Sequence, residues 1–164
     1  MNIQGKNFIG YQLSALGQDS FKAYVPAQDI YLPDLFYCAT HDEVETALRL
    51  AQKAAVPFAA LKASDRAAFL RAIGEEIMAL GDVLLERANL ETGLPLARLQ
   101  GERARTINQL NQFADLIEEG SWVEATIDTA QPERAPVPKP DLRKRQVPLG
   151  PVVVFGSSNF PFAY

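Results

Sequence analysis

Cysteine, histidine and tryptophan are almost missing from these 164 residues, with Cys38, His41 and Trp122 the single representatives. One thiol cannot close an internal disulfide, and one Cys with one His cannot complete a zinc site, so no metal centre is expected. Long apolar runs are missing too. The strongest, Val152-Val153-Val154-Phe155, falls far short of the roughly 20 residues that cross a bilayer, which predicts no membrane partner. The start, Met1-Asn2-Ile3-Gln4-Gly5-Lys6-Asn7, shows neither a charged lead into an apolar segment nor a small-residue cleavage site, so the expected location is cytoplasmic. Positive charge is in deficit. A net charge of −4 with a pI near 5.0 gives no basic field for a phosphate backbone, and no nucleic-acid partner is expected.

What is present is 48% apolar residues, enough for one globular domain with a core. From Phe8 to Phe36, short alternating segments such as Phe21-Lys22-Ala23-Tyr24-Val25 are broken by Gly10, Gly17, Pro26 and Pro33, which predicts hairpins and loops. Thr40 with Glu43 makes a capping box, and Val44, Ala47, Leu48, Ala51 and Ala55 follow at helical spacing, so a first helix is expected to about Ala55. Ser64 can cap a second helix with a buried stripe of Ala68, Leu70, Ile73, Ile77 and Leu80. Asp82 can cap a short third, from Val83 to about Glu91. After Gly93, Pro95 suits the first turn of a fourth helix, with Leu99, Arg103, Ile107, Leu110, Ala114 and Ile117 along one side until Gly120. Arg103 and Arg105 fall on different faces, so one is expected to be a buried cation paired with a carboxylate such as Glu102 or Asp115.

The pattern then changes. Trp122 to Asp128 alternates like a strand, Pro132, Pro136, Pro138 and Pro140 exclude a helix, and Leu142 to Val147 alternates again. Two strands joined by a Pro-rich loop predict a projecting hairpin, tied to the helices by Trp122, whose open edge suits oligomerisation. Its cations Arg134, Lys139, Arg143, Lys144 and Arg145 read as a solvated or intersubunit face rather than an anion site. Val152 to Phe155, between Gly150-Pro151 and Gly156, has the pattern of a strand buried on both faces, as in a parallel α/β sheet. Such a strand needs neighbours and crossovers of a dozen or more residues, so the sequence reads as stopping in mid-fold.

The stretch Val147-Pro148-Leu149-Gly150-Pro151-Val152-Val153-Val154-Phe155-Gly156-Ser157-Ser158-Asn159-Phe160-Pro161 resembles the start of the cofactor-binding domain of aldehyde dehydrogenases, where a "PxGPV" strand precedes a small-residue loop and "NFP". Glu75 to Gly81, Glu91-Thr92-Gly93-Leu94-Pro95 and Gly101 to Thr106 are similar to the branch that oxidises 2,5-dioxovalerate, or α-ketoglutaric semialdehyde. The resemblance implies an α/β, aldehyde dehydrogenase-like fold in truncated form. Its parts are an N-terminal β arm at 1–39, a helical layer of the cofactor-binding domain at 40–120, a projecting oligomerisation-type hairpin at 121–148, and the incomplete start of a Rossmann-like sheet at 149–164. It implies a homo-oligomeric parent enzyme that uses NADP or NAD to convert a semialdehyde, 2,5-dioxopentanoate, into the carboxylate 2-oxoglutarate through a Cys thiohemiacetal.

By the same resemblance Asn159 is the oxyanion donor, because an amide N–H fixed where negative charge develops lowers the barrier to thiolate attack. Phe155, Ser157 and Ser158 are implied to lie along the dinucleotide, with Phe160 and Pro161 shaping the turn near its nicotinamide. For Ser157 and Ser158, plain loop or helix-cap chemistry stays open. The family's nucleophilic Cys, general-base Glu and adenosine-binding Lys lie beyond this motif, so the isolated chain is expected to be inactive. Cys38, with His41 three residues on, reads as an incidental thiol rather than a catalytic pair. The alternative function is a non-catalytic helical assembly or interaction module.

Overall fold

Four antiparallel strands in two hairpins precede four helices and a third hairpin in the computed structural model, which describes residues 3–157 and 159–163. In the arm, β1 (Asn7–Ile9) pairs with β2 (Gln12–Ser14) and β3 (Ser20–Val25) with β4 (Ile30–Tyr37). Phe21 stacks on Phe36 and Tyr24 tilts against Tyr31, the cross-strand aromatic pairs that fix register. Gly17 does more than break a strand. A Cβ there would sit 1.9 Å from the Cys38 carbonyl oxygen, so only glycine admits the backbone after β4 so closely.

α1 (His41–Ala59) begins at the expected capping box: the Thr40 hydroxyl accepts from the Glu43 N–H, and the Glu43 carboxylate accepts from the Thr40 N–H. It runs one turn past the expected end, through Pro57, whose missing N–H falls in the last turn, where little ladder remains to lose. α2 spans Ala63–Ala79 and α3 spans Gly81–Thr92. Neither Ser64 nor Asp82 caps its helix, because both starts lie one or two residues earlier. Gly93 ends α3 in the left-handed region at φ 71, and Gly120 ends α4 (Leu96–Glu119) likewise at φ 85.

The buried stripe of α2 differs from the sequence reading in its phase. Ala67 and Gly74 are buried, Leu70, Ile73 and Ile77 are half-buried, and Ala68 and Leu80 are exposed. Small residues sit at the line of closest approach to α4, where Ala114 is also buried, and the larger side chains flank it. A second buried cluster, Leu85, Ala88 and Leu99, joins α3 to α4, with Leu94 and Phe162 against it. The arm is tied on by Arg87, which donates to Asp34 of β4 at 2.7 Å and to Glu91.

Trp122 lies in a short 3-10 turn, Ser121–Val123, rather than in a strand. Arg66 of α2 lies over its ring at 6.0 Å, which ties the hairpin's base to the helices as expected. β5 (Thr126–Asp128) and β6 (Leu142–Lys144) form the hairpin, shorter than the alternation suggested, with every residue of both strands exposed. The expected strand at Val152–Phe155 is corrected: these residues are unpaired, and Phe155 is 90% exposed. A run patterned for burial on two faces finds no neighbouring strand among the described residues, so its backbone cannot enter a ladder.

Candidate active-site loop

The loop with the expected catalytic amide lies across the first half of α4, which places three polar side chains beneath it at helical spacing. Arg98, Glu102 and Thr106 are i, i+4 and i+8 and therefore share one face. Arg98 donates from Nη2 to the Asn159 carbonyl at 2.6 Å, and its guanidinium lies 5.0 Å from the Phe160 ring centroid. Glu102 is only 6% exposed, and one of its oxygens accepts from Arg98 Nε at 3.0 Å. The other accepts from the Phe162 backbone N–H at 3.4 Å. Thr106 donates its hydroxyl to the Phe162 carbonyl. Both backbone groups of Phe162 are thereby engaged by α4, and its side chain packs on the Leu85, Ala88 and Leu99 cluster.

Four of the expected site residues are close neighbours in this turn. The Phe160 N–H donates to the Ser157 carbonyl at 3.4 Å, Pro161 follows half-buried, and the Ser157 hydroxyl donates to the Asn159 side-chain oxygen. With that oxygen accepting, the amide nitrogen of Asn159 supplies the donors, and the residue is exposed. Phe155 stands apart on the unpaired segment, and Ser158 lies outside the described residues.

A dinucleotide site needs a paired strand feeding a helix N-terminus that receives the pyrophosphate. Here the segment before the loop is unpaired and the loop passes into turns, so the described residues alone do not make that site. An apolar groove of about 440 Å³ lies elsewhere, between α1, α2, α4 and the 148–151 segment, walled by Phe58, Leu70, Ile117 and Pro151. It does not include Asn159.

Arg103 is the largely buried cation of α4, but it donates to the Gly81 carbonyl at 2.7 Å and lies 4.0 Å from Asp82, not against Glu102 or Asp115. Asp115 and Glu118 instead receive Arg71 of α2, each at 2.7 Å. Cys38 is exposed, and His41 lies 3.9 Å from Glu45. In the hairpin, Lys139 pairs with Asp128, Arg143 with Asp141 at 2.9 Å, and Arg134 donates to the Val137 carbonyl at 3.0 Å. These three cations are engaged within the hairpin. Among the described residues no helix is long and apolar enough to cross a membrane, and no cluster of metal-ligating side chains occurs.

The arm, helical layer and loop match known proteins throughout. Residues 8–164 match the aldehyde dehydrogenase family, and the chain belongs to it. It is 48% identical over 166 residues to alpha-ketoglutaric semialdehyde dehydrogenase 2 of Azospirillum brasilense, covering 100% of this chain and 31% of that protein. It is 45% identical over 162 residues to the alpha-ketoglutaric semialdehyde dehydrogenase of Acinetobacter baylyi, covering 98% of this chain and 30% of the relative. Among solved structures it resembles succinate-semialdehyde dehydrogenase from Burkholderia pseudomallei, with a TM-score of 0.65 and 28% identity, covering 76% of this chain and 25% of that one. The chain thus spans about a third of the length of the curated relatives it matches.

Proposed function

We propose that these residues are the N-terminal part of an NAD(P)-dependent aldehyde dehydrogenase that oxidises 2,5-dioxopentanoate to 2-oxoglutarate. The observation that carries this reading is the 48% identity over the whole chain to a protein named for that semialdehyde. In the proposed reaction a thiolate outside these residues adds to the aldehyde carbon, and the negative charge that develops on oxygen is met by the Asn159 amide N–H. A fixed donor of this kind contributes roughly 3 to 4 kcal/mol to the barrier when the whole site is assembled. NAD or NADP, when bound by the complete enzyme, supplies hydride acceptance; Phe155, Ser157 and Ser158 are assigned by family resemblance to the stretch along the dinucleotide, and Phe160 and Pro161 to the turn near its nicotinamide. The β arm, helical layer and hairpin are proposed as separate structural units, with the hairpin pairing subunits in a homo-oligomer.

On this reading the full enzyme reduces NAD(P)+ with 2,5-dioxopentanoate, and Asn159→Ala lowers its kcat by about 10²- to 10³-fold. The 164-residue chain alone yields no NAD(P)H above background. Turnover by that chain that vanishes on Cys38→Ser would overturn the assignment, and full-length protein inert toward every semialdehyde would favour an assembly module.

A further inference from the structure

Within the reading of Asn159 as oxyanion donor, on which this inference rests, the loop's hold on α4 carries a further assignment. We propose that Glu102, supported by Arg98, and Thr106 are positioning residues that fix the Asn159 amide by clamping the backbone of the turn it sits on. Glu102 is nearly buried, with one oxygen on the guanidinium and the other on the Phe162 N–H. A buried carboxylate is tolerated only when its charge and lone pairs are met, and here two of its partners are the loop and the residue that holds the loop. Arg98 closes the circuit, since the same side chain that neutralises Glu102 donates to the Asn159 carbonyl. Thr106 holds the other side of the Phe162 peptide. Carbonyl 159, N–H 162 and carbonyl 162 are therefore all set from one rigid helix face, and Asn159 has its main chain fixed while its amide stays exposed.

The test is a set of steady-state measurements on the full-length enzyme carrying Glu102→Ala, Glu102→Gln or Thr106→Val, each in the native and the Asn159→Ala backgrounds. A displacement near 1 Å at a reacting group can cost about 10²-fold, so Glu102→Ala is expected to lower kcat about 10- to 100-fold with KM shifted less than about threefold. Glu102→Gln keeps an acceptor oxygen and recovers part of the loss, and Thr106→Val lowers kcat in the same direction by less. In the Asn159→Ala background each substitution costs less than about twofold, because the donor they position is already gone. Amide hydrogen exchange at residues 160–163 accelerates in Glu102→Ala, a readout independent of turnover. Should Glu102→Ala fail to fold, Glu102→Gln and Thr106→Val carry the same comparison. Equal losses in both backgrounds, or unchanged kcat in the Glu102 and Thr106 variants beside a crippled Asn159→Ala, overturn the positioning role. An Asn159→Ala enzyme with undiminished kcat overturns the donor assignment itself.

Discussion

Glu43 is 3% exposed and accepts four hydrogen-bond donors, which makes it more than the third residue of a capping box. Beyond the Thr40 N–H at 2.8 Å and the Thr40 hydroxyl at 3.1 Å, it receives the Ser14 hydroxyl and the Leu16 N–H at 3.3 Å, joining the arm to α1. The Ser14 hydroxyl first, then the Thr40 N–H, hold its carboxyl down from the usual 4.5 to about 2. A carboxyl with a folded value below its unfolded one stabilises the fold above the unfolded value, and that contribution fades as pH falls toward the folded one. The stabilisation from Glu43 is therefore complete above about pH 4.5 and lost on the way down to about pH 2. Glu43→Gln is expected to melt lower than the native chain at pH 7, with the two melting temperatures converging as pH approaches 2. Parallel curves across that range would refute the role. The Thr40–Glu43 box is legible in sequence because its partners are three residues apart. Ser14 and Leu16 are 29 and 27 residues away from Glu43, a proximity that only the tertiary fold creates. Asn159 divides the same way: the tripeptide marks it, but Glu102 lies 60 residues before Phe162 and nothing local announces the pair.

Helical spacing located all four helices and the correct side of α4, because a 3.6-residue period survives in any long amphipathic segment. It misplaced the buried line of α2 because large side chains dominate a periodicity, whereas the closest contact here belongs to small ones. Gly74 is the case in point: a Cβ added there would sit 3.4 Å from Ile107 Cγ2 and 4.0 Å from Leu110 Cδ1, ordinary van der Waals contact. Glycine inside a helix costs about 0.5–1 kcal/mol relative to alanine. Gly74→Ala is therefore expected to stabilise the chain by about that amount in urea titrations, since the new methyl fits between α2 and α4 without displacing either. Gly74→Leu should destabilise it by about 1–3 kcal/mol, as atoms beyond Cβ must enter space that Ile107 and Leu110 already occupy. A loss of stability in Gly74→Ala would mean that the α2–α4 contact has no room for the added methyl.

At the scale of the whole molecule, the apolar run at Val152–Phe155 has the composition of an interior strand and the environment of a surface. Val152, Val153, Val154 and Phe155 are 69, 64, 80 and 90% exposed, and their backbone is unpaired. The strand expected from the sequence pattern does not form here, because a two-faced buried strand is a property of its neighbours as much as of its own residues. A β-branched, uncharged segment with free backbone donors and acceptors is a template for another chain. The 164-residue chain is accordingly expected to self-associate as its concentration rises, detectable as growing light scattering. Val152→Lys combined with Val154→Lys places two like charges two residues apart on one face of the extended segment and should restore a monodisperse monomer. Val152 and Val154 are 69 and 80% exposed, so the lysines enter solvent and the cooperative melting of the helical layer should be unchanged. A native chain that stays monomeric at high concentration would show instead that the segment is protected in solution, and a lysine variant that still aggregates would direct attention to the open edges of the β5–β6 hairpin.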